Sequence, residues 1–119
     1  MNRYTEVIIQ GQDAILKCFL RSPVNGEGEN LTPANIVVSA ASLETVGHSV
    51  AIPSNAIIKG QAYQMPNQFN IILPRTISQT LLRNMMYNVK ATVEYPDPMF
   101  PDNKRVVIYE IENALQVLK

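Results

Sequence analysis

The stretch of sequence that decides the fold is NVKATVEY, residues 88–95. Its apolar residues alternate strictly with polar ones and would share one side of an extended chain: Val89, Ala91, Val93 and Tyr95. Successive side chains of a β-strand point to opposite faces, so this two-residue period predicts a strand with one buried and one solvated face. Strands of this kind are typical of antiparallel sheets.

Further strand-like segments lie on both sides of this stretch. They are rich in β-branched, aromatic or alternating apolar residues and cover residues 13–20, 35–43, 56–64, 68–73 and 104–112. Leu115 and Val117 either continue the last strand or form a short seventh one. Turn-forming residues separate the segments, with Gly and Asn concentrated in residues 22–30 and Pro in residues 95–103. Short strands at this spacing predict an all-β sandwich of about seven strands.

The pattern changes at Pro74 in the stretch QFNIILPRTISQTLL, residues 68–82. Proline has no N–H to donate to a sheet ladder, so a central strand ends there. Beyond it, Ile77 and Leu81 are four residues apart, which is the spacing of neighbours on one face of a helix. We therefore expect a short helical turn over residues 76–83 that carries the chain from one sheet to the other.

Length and composition limit the class of protein. A chain of 119 residues has the size of one domain, residues 1–119, in which residues 1–9 are expected to form an N-terminal arm or an edge strand. Ten Lys and Arg balance ten Asp and Glu, so there is no basic excess that would indicate nucleic-acid binding. No apolar run approaches the roughly 20 residues that span a bilayer, so no membrane association is expected.

No group of residues predicts a catalytic centre, so we expect a non-enzymatic protein without a cofactor or a metal. Cys18 and His48 are the single cysteine and the single histidine, and on paper they could form a nucleophile–base pair. Cys18, however, falls on the apolar face of its strand, where a small buried side chain is expected rather than a reactive thiol. His48 follows Gly47 among polar residues and is expected in a surface loop.

The order of the segments resembles that of the N-terminal immunoglobulin-like domain of phage baseplate upper proteins, and of similar domains in other tailed-phage structural proteins. The resemblance rests on four stretches in sequence: GQDAILKCFL (11–20), NLTPANIVVSAASL (30–43), QFNIILPRTISQTLL (68–82) and MYNVKATVEY (86–95). It implies an antiparallel immunoglobulin-like β-sandwich of about seven strands with one short helical crossover. It also implies that residues 88–95 and 104–112 are neighbouring strands.

Two positions differ from the family pattern. The family usually has a glycine shortly before the tyrosine-led strand, where this chain has Asn84 before Tyr87. It often has another in the final hairpin, where this chain has Asn113 between Glu112 and Ala114. Asn adopts the left-handed backbone conformation more readily than most residues, so Asn84 is expected to replace the first glycine.

The resemblance implies a virion structural protein that acts as a docking or adaptor module at a baseplate, tail, fibre-anchor or capsid-decoration position. Its expected partners are other virion proteins, in a symmetric homo-oligomer or ring. It would be located in the virion, assembled in the cytoplasm of a bacterial host. The alternative is a carbohydrate- or receptor-binding β-sandwich module, for which a chain without tryptophan has few aromatic faces to offer.

The partner contact is expected in YPDPMFPDN, residues 95–103, which connects the two best-defined strands. This connection is longer than a tight hairpin turn, and its three prolines restrict its conformation. Near its tip lie Met99 and Phe100, an apolar pair suited to contact with a neighbouring chain. The alternative is that Phe100 folds back and covers the end of the sandwich.

Overall fold

The structure, a computed structural model, describes residues 5–22 and 24–118. Strands account for 55% of the described residues and helices for 6%, so the prediction of an all-β protein is confirmed. Among the described residues, no helix is long and apolar enough to cross a membrane. The elements, in chain order, are β1 (Glu6–Ile9), β2 (Ala14–Phe19), β3 (Val37–Thr45), β4 (His48–Ile52), a 3-10 turn (Ser54–Ala56), β5 (Ile57–Lys59), β6 (Gln68–Leu73), α1 (Arg75–Ser78), β7 (Met85–Pro96) and β8 (Lys104–Leu118).

The strands form two sheets. The larger sheet has the order β1-β8-β7-β3-β4 and the smaller one the order β2-β6-β5. The described strand pairs are antiparallel apart from β1 and β8, which run parallel with Glu6 beside Leu115. The expectation of an entirely antiparallel sandwich is therefore wrong at this edge. A short hairpin would force two strands to run antiparallel, but no hairpin joins β1 to β8. Instead, β1 turns at Gly11 (φ 87°) into β2 of the other sheet.

The two sheets share one hydrophobic core. The residues predicted to be core, Leu16 on β2 and Val89, Ala91 and Val93 on β7, are all buried within it, and Lys90 between them is exposed. The cluster includes residues from both sheets, so the strict alternation in residues 88–95 did identify the face of β7 that packs against the opposite sheet.

Helix α1 is shorter than the predicted turn over residues 76–83. The backbone N–H of Arg75 donates to Oδ1 of Asp13 at 2.6 Å, so the β1–β2 connection supplies the N-terminal capping group. After Ser78 the chain continues in turns to Leu81, which is fully buried, while Ile77 packs against the core from its edge. The inward orientation of both residues and the crossover itself are as predicted.

Two predicted strands differ most in extent. The segment 56–64 contributes only Ile57–Lys59, because Gly60 adopts φ 74° and turns the chain away from β6. The segment 104–112 is longer than predicted, since β8 continues past Glu112 through Leu115 and Val117.

A bulge at Asn113 makes this continuation possible. The register of β7 and β8 shifts between Tyr87 and Val89, and Asn113 has φ 55°. Its N–H donates to Oδ1 of Asn88 at 2.9 Å, and its carbonyl accepts from the hydroxyl of Thr5 at 2.8 Å. Both backbone groups of Asn113 are therefore satisfied, and β8 resumes its ladder beyond the bulge.

Tyr87 stabilises the connection between β6 and β7, which joins the two sheets. Its ring is fully buried at the start of β7, and its hydroxyl oxygen accepts a hydrogen bond from the N–H of Leu82 at 2.8 Å. Burial raises the pKa of Tyr87, and the bond from Leu82 offsets part of that effect. Asn84, between these two residues, has φ 61°, so the left-handed conformation expected there is confirmed.

Candidate interaction site at the loop end

Three loops that are far apart in sequence meet at one end of the molecule. β7 runs toward residues 97–103, and β3 runs in the opposite direction with Val37 beside Glu94, so residues 20–22 and 24–36 lie at the same end. Residues 60–67 join them, because the N–H of Leu31 donates to the carbonyl of Pro66 at 2.8 Å. We call this region, residues 20–22, 24–36, 60–67 and 97–103, the loop end.

The β7–β8 loop is organised by Asp97. Its N–H donates to the carbonyl of Asn103 at 2.9 Å, and its carbonyl accepts from the N–H of Phe100 at 3.3 Å. Its carboxylate oxygen Oδ1 accepts from the N–H of Met99 at 3.0 Å, the Asx-turn bond that Asp often makes to the residue two positions on. Asn103 closes the loop with φ 56°. The conformation is therefore fixed by bonds within the loop.

Side chains at the base of the hairpin hold the loop from below. The guanidinium of Arg105 lies 4.8 Å from the centre of the Tyr95 ring, and its Nε is 3.6 Å from Oδ2 of Asp97. The hydroxyls of Tyr95 and Tyr109 are 2.8 Å apart. Burial raises the pKa of Tyr95 far above its usual range, and the hydrogen bond with Tyr109 raises this pKa further. These contacts connect the loop to ordered side chains of β7 and β8.

The two residues predicted to contact a partner both lie at the tip of this loop. Met99 is 87% exposed and Phe100 is 43% exposed. Phe100 is not a member of the buried core cluster, so its placement gives no support to the alternative in which it closes the end of the sandwich. The structure instead presents an apolar pair on a supported hairpin.

Sequence reasoning missed the other exposed apolar residues of the loop end as contact residues. Val24, Tyr63 and Met65 lie on the two neighbouring loops and are all largely exposed. Alternation of apolar and polar residues carries no information outside strands. In the sequence, only the nearby turn-formers Gly60 and Pro66 indicate that Tyr63 and Met65 lie in a loop. Their relation to Met99 and Phe100 depends on the topology.

The structure does not bring Cys18 and His48 together. Cys18 is buried on β2 beside Phe69, as predicted, and burial raises the pKa of its thiol to about 12. His48 lies on β4 rather than in a loop, and its Nε2 is 3.0 Å from the carbonyl of Thr80, toward the opposite end of the molecule. The prediction of a loop was wrong. His48 and Val50 face inward but are only half-buried, so this strand does not need the strongly alternating sequence by which a strand is recognised.

Two shallow clefts in the described part of the chain were considered as possible ligand sites. One, of about 630 Å³, is lined by residues of β2 and of the end of β6, and its Asp13 carboxylate caps α1. The other, of about 390 Å³, includes Lys59, whose ammonium donates to the carbonyls of Leu31 and Pro33 at 2.8 and 3.1 Å. Burial lowers the pKa of Lys59. Within residues 5–22 and 24–118, no group of three His, Cys, Asp or Glu side chains could hold a metal ion.

Comparison with known proteins gives no further assignment. No family model matches the sequence, and no curated protein or solved structure matches it either. The interpretation of function therefore rests on the all-β fold and on the geometry of the loop end.

Proposed function

We propose that the chain is a non-enzymatic virion structural protein, a docking or adaptor module with an immunoglobulin-like fold that binds neighbouring virion proteins through its loop end. The observation that carries the docking role is the exposed pair Met99 and Phe100, held at the tip of a hairpin by the hydrogen bonds of Asp97. The virion part of the proposal rests on the order of sequence stretches that resembles the N-terminal domain of phage baseplate upper proteins.

The immunoglobulin-like part of the proposal is supported by strand order. Immunoglobulin-like sandwiches pair strands G, F and C in one sheet, with C′ added in the variable type, and strands B, E and D in the other. The orders β8-β7-β3-β4 and β2-β6-β5 correspond to these two sheets.

A second support is the environment of Tyr87. Many immunoglobulin-like domains have a tyrosine near the start of strand F whose hydroxyl bonds the backbone a few residues upstream. Tyr87 at the start of β7 has this arrangement, with the N–H of Leu82 as its donor. The agreement of strand order and this bond favours an immunoglobulin-like topology over another two-sheet arrangement.

The docking role is supported by the physics of the tip. Aromatic side chains and methionine are enriched in interface cores. Binding costs less conformational entropy when the loop that carries the contact is ordered beforehand. Asp97, Asn103 and Arg105 provide that order here, so Met99 and Phe100 are suited to enter an apolar pocket on a neighbour.

The virion assignment is tested on particles. Phage particles from the host that carries this gene are purified by density gradient, and the chain is measured by quantitative mass spectrometry. We expect it at a fixed copy number relative to the major capsid protein. A chain that is abundant in the lysate but missing from the particles would contradict the assignment. Glycan binding by such a free chain would favour the carbohydrate-binding alternative.

The contact itself is tested with Phe100→Ala. We expect incorporation into particles to fall while the melting temperature stays almost unchanged, because Phe100 lies outside the core cluster. Val46→Ala is the matched control, since Val46 is an exposed apolar residue in the β3–β4 turn, at the opposite end of the larger sheet. Normal incorporation of Phe100→Ala combined with a loss of several degrees of stability would place Phe100 in the protein's own packing.

A further inference from the structure

The first half of β8 is an open sheet edge. β7 pairs with one side of β8 along its length, but β1 covers the other side only at Leu115–Leu118. No strand in the described part of the chain pairs with this other side over residues 104–111. The remaining edge strands are shorter, with three to six residues each.

The backbone of this edge is directed outward at every second residue. The N–H of Asp97 donates to the carbonyl of Asn103 one residue beyond the last ladder pair, Pro96 and Lys104, so at this position the backbone groups of the two strands face each other. Hydrogen-bonded and non-hydrogen-bonded pairs alternate along an antiparallel ladder. The N–H and C=O groups of alternate residues therefore point away from β7, and these residues are Lys104, Val106, Ile108 and Glu110. Pro96 fits this assignment, because opposite Lys104 its missing N–H is not needed.

The devices that usually protect an edge are few here. Natural edge strands are often interrupted by proline or a bulge, or carry charges along their length. Residues 104–111 contain no proline, the bulge comes later at Asn113, and the middle positions on the outer face are Val106 and Ile108. These two side chains are 57% and 60% exposed.

The charges on this face select an antiparallel copy of the same strand as the occupant. Lys104, whose Nζ is 3.2 Å from Oε1 of Glu94 on β7, lies at one end of the open stretch, and Glu110 lies at the other; both are exposed. Parallel pairing of two copies would place like charges side by side. Antiparallel pairing centred on Val107 places Lys104 opposite Glu110 of the partner subunit, and Val106 opposite Ile108 of the partner subunit. A two-fold axis forms each of these contacts twice.

We infer that residues 104–110 of β8 pair antiparallel with the same residues of a second copy, joining the two larger sheets into one continuous sheet. The outward backbone groups supply the hydrogen bonds, Val106 and Ile108 form an apolar patch across the axis, and the Lys104–Glu110 pairs fix the register. This contact uses no residue of the loop end, so it stands or falls independently of the docking role.

The test is a charge exchange followed by sedimentation equilibrium and light scattering. We expect the wild-type protein to dimerise. Lys104→Glu and Glu110→Lys should each raise the dimer dissociation constant at least about tenfold, because each places like charges in two symmetric pairs. The double variant should restore dimerisation. Arg75→Glu on α1 is the matched control for Lys104→Glu, with the same change in net charge and an expected wild-type dissociation constant.

Three results would overturn the inference. One is a wild-type protein that stays monomeric at its highest soluble concentration. Another is a dimer that both single variants leave intact, which would place the contact on a different surface. The third is a double variant that remains monomeric while its melting temperature equals that of the wild type, because a register centred on Ile108 would pair Lys104 with Glu112 of the partner subunit and would not be rescued.

Discussion

The buried hydroxyl of Tyr87 offers a sharp test of how the two sheets are held together. Tyr87→Phe removes one oxygen atom and keeps the ring, so it leaves the apolar packing of β7 nearly intact. What is lost is the acceptor for the N–H of Leu82, at 2.8 Å. A partly buried donor left without a partner costs about 1–3 kcal/mol. The substitution therefore separates the hydrogen bond from the packing of the ring.

The expected loss can be expressed as a shift in melting temperature. The entropy of unfolding is about 2.1 cal/mol/K per residue, which gives about 0.25 kcal/mol/K for 119 residues. A loss of about 1–3 kcal/mol then lowers the melting temperature by about 4–12 °C. Differential scanning calorimetry measures the shift, and urea unfolding gives an independent free energy. Tyr63→Phe is the control, since Tyr63 is exposed on the loop end.

An unchanged melting temperature for Tyr87→Phe would refute this reasoning. It would mean that water satisfies the N–H of Leu82 as well as the hydroxyl does, and that ring packing alone fixes the connection before β7. Equal losses in Tyr87→Phe and Tyr63→Phe would also refute it, because an exposed hydroxyl has no comparable bond to lose.

Three further outcomes follow from burial. Leu16→Ala should lower the free energy of unfolding in urea by about 2–5 kcal/mol, whereas Lys90→Ala should stay within about 0.5 kcal/mol; equal effects would contradict the register of β7. Burial raises the pKa of the Cys18 thiol to about 12, so at pH 8 its thiolate is about a thousandfold scarcer than that of an ordinary thiol. A disulfide reagent should therefore label native Cys18 far more slowly than Ser54→Cys in a Cys18→Ser background. The pKa of Tyr95 is raised in the folded state, so its contribution to stability is complete below about pH 10 and is lost as pH rises through the folded pKa. Unfolding free energies measured from pH 8 upward should fall less steeply in Tyr95→Phe.

The parts of the fold that the sequence predicted are those with strong contrast between two faces. In β7 the buried and exposed residues alternate because one face meets the core and the other meets solvent. In β4 the contrast is weak, since His48 and Val50 are half-buried at the edge of the sheet. A period of two is diluted under those conditions, and the strand was missed.

The direction of a strand and the identity of its neighbour could not be predicted from the sequence pattern. Alternation states which residues share a face, but it does not state which strand lies beside β1 or in which direction that strand runs. The parallel pairing of β1 with β8 depends on the turn at Gly11 and on the bulge at Asn113, which lie at distant points of the chain. Neither follows from a local pattern.

The candidate site likewise contains some residues that could be predicted from the sequence and others that could not. Met99 and Phe100 could be predicted because a long connection between two clear strands is a local feature. Val24, Tyr63 and Met65 could not be, because only the three-dimensional arrangement of the sheets places their loops beside the β7–β8 loop. The open edge of β8 was likewise hidden, since the sequence did not show how little of it β1 covers.

The two proposed contacts occupy different parts of one hairpin and are compatible in geometry. The tip contact uses Met99 and Phe100 beyond the last ladder pair, whereas the edge contact uses the outward groups of residues 104–110. Because β8 would pair antiparallel with its copy, the two loop ends of the dimer would point in opposite directions. Such a dimer would hold two neighbours at once, which is what an adaptor requires. Phe100→Ala should then dimerise normally, and Lys104→Glu should still bind one neighbour but fail to bridge two.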